Sequence, residues 1–548
     1  MNDVIVVEVS SRGKLLVGEP YFEPAAPLML DRKQAGDVGA GDLVAVRTGR
    51  GRARVERVLG KADDVEAVLE GLLVHQGLRE PFEPHDVPEP PVEGRVDLRE
   101  LPTFTVDPDT AKDFDDAISM RREEDGVRAW VHIADVAAYV PAGSPLDRGA
   151  AGRAFSTYVP GRVAPMLPPT LSEDACSLRP HVDRLTATVE LPPFGEPLFY
   201  RSVIRSDARL TYGQVARGEV ELPEVALAAA YSEELRRRRF ARGALRVETP
   251  ELNFEFDGHG GVARAWFEGE AEAHALVEEL MIAANEAVAR LLSSRARPAL
   301  YRVHERPEPQ AVLLLLAKLA ELEVPTPPAP AAERLAPGEA AALASAASEL
   351  VAEYTARSGR GREAFPALVL RSLKQARYDP ANLGHSGLAS RAYCHFTSPI
   401  RRYPDLVVHR ALLRELGLAD EEQPDDLGAL AEHASERERA AASVEYQADD
   451  FCLAWLLERR LFELGWDATF EGEITGMIGA GLFVRFGELF EGFLPSRRLT
   501  EDYFELSTLG TTLVGRRTSR AYRLGDPIKV SVAEIRRHEG KVELQPAR

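Results

Sequence analysis

The sequence predicts a multidomain α/β (α+β) protein. A large mixed α/β domain spans 96–464, a small β-rich module precedes it over 1–92, and an all-β barrel follows over 465–548. Three observations carry this. Short apolar runs broken by glycine mark both ends of the chain, strands dominate from Val96 to Leu210, and helical periodicity takes over from there to the 460s. A chain of 548 residues, 45% hydrophobic and 28% charged, has room for three or four globular domains.

Taken in order, Val4–Val9, Lys14–Val17, Asp42–Arg47 and Arg52–Val58 read as strands, Val65–Val74 as an amphipathic helix, and Pro81–Pro91 as a linker. Both a small barrel and a winged-helix arrangement suit this module. Within the large domain, Ala271–Leu292 is a helix whose Leu276, Leu280, Ala284, Ala287 and Leu291 share one face and read as core. The Pro- and Ala-rich stretch Glu323–Ala341 reads as an exposed loop, and Ala429–Leu461 as a long helical strut leading to the last module. Thr469–Phe486, Glu491–Ser496, Gly525–Arg536 and Gly540–Leu544 then alternate as barrel strands with glycine turns.

The stretch Val106–Ser119 (VDPDTAKDFDDAIS) concentrates chemistry. It holds Asp107, Asp109, Asp113, Asp115 and Asp116 with only Lys112 to offset them. Carboxylates this close raise one another's pKa unless a cation joins them, and a hard divalent ion with oxygen ligands removes the conflict. An EF-hand loop fails on spacing, because Lys112 stands where the turn glycine belongs and Ile118 where the bidentate glutamate belongs. Thr103–Val106 and Ala117–Met120 read as strands entering and leaving the cluster, with Ala129–Ile133 as a partner. Asp113 and Asp115, two apart in an extended segment, point the same way.

No apolar run reaches membrane-spanning length, and the start MNDVIVVEVSSRGKLL lacks the basic region and long apolar core of a signal peptide. Three separated cysteines, Cys176, Cys394 and Cys452, suit a reducing compartment and offer no zinc spacing, so a cytoplasmic protein is expected, and the chain is taken as a monomer. The formal charge of −20 speaks against a uniformly basic surface. Lys and Arg concentrate instead at Arg236–Arg242, at Arg401, Arg402 and Arg410, and in a C-terminal group from Arg516 to Arg537.

A second constellation, His395-Phe-Thr-Ser-Pro-Ile-Arg401-Arg402-Tyr403-Pro-Asp405-Leu-Val-Val-His409-Arg410, lies far along the chain. With Asp107, Asp113, Asp115 and Asp116 in a D-x5-D-x-D-D spacing, it resembles the ribonuclease II / ribonuclease R family and its RNB catalytic domain. Tyr158–Pro168, Leu171–Leu178 and Val277–Asn285 resemble family segments in the same order, and the last module resembles an S1 domain, an OB-fold that binds single strands. Two tandem cold-shock-type OB domains usually open such chains. Residues 1–92 hold at most one, so a truncated RNA-binding entry module is expected, without the family's basic C-terminal tail.

The resemblance implies Mg²⁺-dependent, two-metal hydrolysis of single-stranded RNA from its 3′ end, with Mn²⁺ as a substitute. It makes Asp107, Asp113 and Asp116 metal ligands, Asp115 the catalytic carboxylate and Arg401 the partner of the scissile phosphate. RNA binding falls to Tyr158, which matches a stacking aromatic, to Tyr212 and Glu278 at the ribose, and to Glu445. Arg402 either shares the phosphate or forms a structural ion pair. Asp109 is a turn residue, and His395 and His409 are not needed as bases beside metal-activated water. A second stacking aromatic is replaced by Val247. Phe470, Phe483 and Phe486 either stack on bases or fill the barrel. The non-catalytic alternative, an RNA-binding protein that retains the fold, would be marked by loss of an Asp or of Arg401, and none is lost.

Overall fold

A computed structural model describes residues 4–13, 15–31, 36–48, 52–246, 251–269, 271–329, 335–419, 424–499 and 502–547. Among these no helix is long and apolar enough to cross a membrane.

The N-terminal module is built from the strands Val4–Arg12, Leu15–Pro20, Leu28–Met29, Asp42–Arg47 and Arg54–Lys61. The first strand pairs antiparallel with the second and fourth, the second with the third, and the fourth with the fifth. Leu30 and Ala53 then bridge in parallel, with Asp31 N–H donating to Ala53 O at 2.9 Å. That bridge curls the sheet into a ring of order 1-2-3-5-4, the connectivity of an OB-type barrel and not of a winged helix. Val7, Val9, Leu30, Val44 and Val46 fill it. The Val65–His75 helix follows, capped by Asp64, whose carboxylate accepts Glu66 N–H.

The large domain rests on a seven-stranded sheet. Its spatial order is Ala208–Thr211, Thr103–Asp107, Asp116–Glu123, Gly126–Ala134, Asp183–Leu191, Leu198–Arg205 and Val96–Asp97. Both strands expected around the acidic stretch are present, and Gly126–Ala134 is the expected partner. Helices Ala271–Ser294 and Tyr403–Glu415 join the same apolar core as the sheet through Leu276, Leu280, Leu406 and Val407. One expectation fails. A helix, Pro337–Ser358, begins inside the stretch read as a loop. Pro337 occupies its first turn, where no N–H is needed, and the Glu339 carboxylate accepts Ala336 N–H at 3.0 Å. Alanine after the proline then favours helix.

Helix Leu427–Leu464 is the strut, 38 residues and so roughly 57 Å long. It shares one apolar cluster with both flanking modules through Phe451, Trp455, Leu457 and Leu461. The C-terminal module is a closed barrel of Thr469–Ile478, Gly481–Phe486, Phe490–Pro495, Lys541–Pro546 and Pro527–Arg536 in that order, again 1-2-3-5-4. Phe486 is barrel core, Phe470 packs edge-on against it at 5.5 Å, and Phe483 is 36% exposed beside Phe493. All three cysteines are free and buried.

The basic runs do not form a bare positive surface. Arg237 and Arg238 pair with Glu234, Arg239 with Glu279, Arg242 with Glu286, Arg516 with Glu505, Arg523 with Glu323 and Arg537 with Glu458. Surplus acid placed beside each run neutralises it, which linear charge counting cannot show.

Candidate active site

Asp107 ends one strand and Asp116 opens its antiparallel neighbour, so both carboxylates stand at the same end of the sheet. The loop between them is hung from one buried ring, Phe114. Its N–H donates to Ser177 Oγ at 3.1 Å, its carbonyl accepts from Leu178 N–H at 2.9 Å, and Ser177 Oγ donates to Lys112 O at 2.7 Å. With Phe114 turned into the core, Asp113 and Asp115 flank it on the other side. Arg209 holds the start of the loop by donating to the carbonyls of Pro108 and Asp109, and Asp109 itself is exposed. Tyr212 follows Thr211, the parallel partner of Asp107, and its ring stacks on His274 at 3.7 Å.

The second motif folds as a tight turn before the Tyr403–Glu415 helix. Asp405, fully buried, accepts Ser398 N–H and Arg402 Nη2, each at 2.8 Å. Arg402 is thereby committed to Asp405, the ion-pair alternative of its two readings. Arg401 points the other way. Its Nε donates to Asp115 Oδ2 at 3.3 Å and its Nη2 to Ser398 Oγ at 3.0 Å, while Ile400 N–H donates to Asp115 Oδ1 at 2.8 Å. Residues 286 positions apart meet through Asp115. The Arg401 side chain stays 44% exposed, and its Nη1 has no protein partner among the described residues.

Tyr158 reaches the same place because its segment is stapled to that turn. Ser156 N–H donates to Arg401 O at 2.9 Å and Tyr403 N–H to Ala154 O at 2.8 Å. The Tyr158 hydroxyl then donates to Asp113 Oδ2 at 2.6 Å and its N–H to Glu445 Oε1 at 2.8 Å. Glu278 lies on the Ala271–Ser294 helix, half-exposed, 3.7 Å from the Arg239 guanidinium. Val247 falls outside the described residues. His395 Nδ1 is hydrogen-bonded to the Tyr378 hydroxyl at 2.7 Å, and His409 Nε2 donates to Phe396 O at 2.7 Å. Burial holds both rings below the usual histidine range, as packing groups.

The carboxylates are poised for a cation. Burial and the nearby Asp116 push Asp107 up to about 7, burial pushes Asp116 up to about 6, and burial lifts Asp115 well above the usual range. Asp107 Oδ2 is buried and has no hydrogen-bond partner among the described residues. A divalent ion fits that orphaned oxygen and this all-oxygen donor set. Among the described residues no three acidic, His or Cys side chains close into a complete ligand set, so such an ion would complete its sphere with solvent and phosphate oxygens.

The sign of the linkage is definite. A carboxyl whose pKa is raised in the folded state adds stability that is present below about 3.8 and lost as pH rises through 6 to 7. A cation binds the deprotonated form and restores it. Thermal melts with Mg²⁺ and with chelator should differ more at pH 8 than at pH 5.5. An increment independent of pH would remove Asp107 and Asp116 from the ligand set.

Three positioning residues escape motif reading. Asp405 lies inside the quoted motif, three positions from Arg402 on a helix start, so its pairing was open to i,i+3 reasoning. Ser177 and Arg209 reach the acidic loop from distant segments and leave no local signal.

The comparisons agree with this arrangement. The family model described as RNB domain matches residues 95–417, and that described as S1 RNA binding domain matches 464–545. Ribonuclease R of Escherichia coli is 37% identical over 489 residues, covering 84% of this chain and 58% of that protein. Ribonuclease R of Thermotoga maritima is 35% identical over 528 residues, covering 90% of this chain and 72% of that one. The solved structure of Mycoplasma genitalium RNase R in complex with ribose-methylated single-stranded RNA matches with a TM-score of 0.86 at 26% identity, over 100% of this chain and 90% of that chain. The chain thus spans little more than half the length of some of the curated relatives it matches. With an RNB match over residues 95–417, an S1 match behind it and an acidic loop joined to Arg401, the chain belongs to the ribonuclease II / ribonuclease R family.

Proposed function

We propose that the protein is a Mg²⁺-dependent exoribonuclease that hydrolyses single-stranded RNA processively from its 3′ end and releases nucleoside 5′-monophosphates. The observation that carries this is the contact between Arg401 and Asp115 at the end of the sheet that bears Asp107 and Asp116. The names of the relatives, each a ribonuclease R, support it. Asp107, Asp113 and Asp116, with solvent and phosphate oxygens completing the sphere, would hold Mg²⁺, which would supply positive charge for activating water and offsetting the leaving oxygen. The Arg401 Nη1 edge is free to take a phosphate oxygen and is aimed in advance by Asp115 and Ser398, so no reorganisation is needed as charge builds. Tyr158 stacks a base at the mouth, after its hydroxyl leaves Asp113. Tyr212 and Glu278 read the ribose, which makes DNA of the same sequence a poor substrate. Three buried free thiols suit a monomer working in a reducing cytoplasm.

RNA labelled at its 5′ end should shorten as a ladder from the 3′ end with Mg²⁺ and stay intact with chelator. A stable hairpin should stall the enzyme near the stem, as in ribonuclease II. Internal cuts, or metal-independent shortening, would refute the reading. Rapid digestion of a blunt hairpin would refute the stalling alone.

A further inference from the structure

Helix Leu427–Leu464 carries a face that the chemistry above leaves unused. Arg439, Ala442, Ser443, Tyr446, Gln447 and Asp450 recur along it at helical spacing, and with Gln375 they line an open groove of about 520 Å³. The composition of that groove is unusual for this molecule, in which most arginines are paired with acids. Arg439 is exposed and makes no ion pair, hydrogen bond or ring contact with any described residue. The side chains of Gln375, Ser443 and Gln447 are likewise without a hydrogen-bond partner among the described residues. Between them stands the Tyr446 ring, 72% exposed and packed on no other ring among the described residues.

An unpaired guanidinium, three uncommitted polar groups and a bare aromatic face form a set of contacts matched to one ligand class. The ligand must bring an anion, hydrogen-bonding edges and a flat π-surface. Single-stranded RNA brings all three in each nucleotide. The groove lies on the same helix as a residue that holds the active-site tyrosine. Glu445, next to Tyr446, accepts the Tyr158 N–H, and the Tyr158 hydroxyl donates to Asp113. At its far end Asp450 lies against Gly540 of the C-terminal barrel. A strand lying here therefore runs from that barrel toward the carboxylates.

We propose that this groove is a binding subsite for single-stranded RNA upstream of the cleavage point, with Tyr446 stacking a base, Arg439 taking a phosphate and Asp450 accepting a ribose hydroxyl. The subsite rests on the exoribonuclease reading and adds to it where the strand travels. Gln375 and Gln447 meet base edges of any sequence, which keeps the track indifferent to sequence.

The test is fluorescence anisotropy of a labelled oligouridylate, long enough to reach the barrel, bound to the full chain in chelator so that nothing is cleaved. Tyr446→Ala should weaken binding about tenfold, and Tyr446→Phe should stay close to the parent. Arg439→Gln should weaken binding and lower the slope of log affinity against log salt by about one. In the Tyr446→Trp variant, indole emission should change as RNA is added. The proposal is overturned if Tyr446→Ala and Arg439→Gln bind as the parent does, or if RNA leaves the emission of the Tyr446→Trp variant unmoved. A parent that binds and digests RNA while these variants are unaffected sinks only the groove. A parent that binds no RNA sinks the exoribonuclease reading and the groove with it.

Discussion

Asp115→Asn should reduce hydrolysis about 10²- to 10³-fold while RNA affinity stays within a few-fold of the parent. The substitution keeps size and one acceptor oxygen, so Ile400 N–H retains its partner. What changes is the second position. An amide NH₂ would face Arg401 Nε, a donor, across the 3.3 Å that now separates donor from carboxylate. Two donors repel, and the guanidinium loses the restraint that aims its free edge. Stacking at Tyr158 does not depend on that restraint, so binding persists. Single-turnover rates on labelled RNA, with affinities measured in chelator, separate the two effects. A rate within a few-fold of the parent would end the assignment of Asp115.

Asp405→Ala should cost about 3–5 kcal/mol of stability. The carboxylate is fully buried, and its removal strands the Arg402 guanidinium and the Ser398 N–H together. Burial of an unpaired charge is what makes such a truncation severe. The turn it fixes also supplies Ile400 N–H and Arg401, so activity should fall with stability even below the unfolding midpoint. Asp405→Asn keeps one acceptor and should lose less on both counts. Urea unfolding followed by tryptophan emission measures the first effect, and an unchanged midpoint for the alanine variant would show that Arg402 finds another counter-ion.

The strands around the acidic stretch were legible in the sequence because their alternation is local and each side faces a defined core. The meeting of the two motifs was legible only through the resemblance. No periodicity links Asp115 to Arg401, and the contact arises from the order of strands in the sheet. The pairing of the basic runs was hidden for a related reason. Their partners, such as Glu279 for Arg239 and Glu458 for Arg537, come from other segments and cannot be counted along the chain. The N-terminal ring closes through one bridge, Leu30 with Ala53, too small a feature to distinguish from an open sheet by pattern. The Pro337 helix was hidden because proline was read as a breaker, though in a first turn it is an initiator.

The long helix touches several bodies at fixed phases. Ser435 Oγ holds Tyr378 N–H, Glu445 holds Tyr158, Trp455 Nε1 reaches Asp63 O, and Glu458 pairs with Arg537. Adding or deleting one residue between Glu445 and Trp455 would rotate one group of these attachments against the other by about 100°. The rod therefore works as a camshaft, and over evolution its length should be among the least negotiable dimensions of the molecule, even where the surface residues upon it drift.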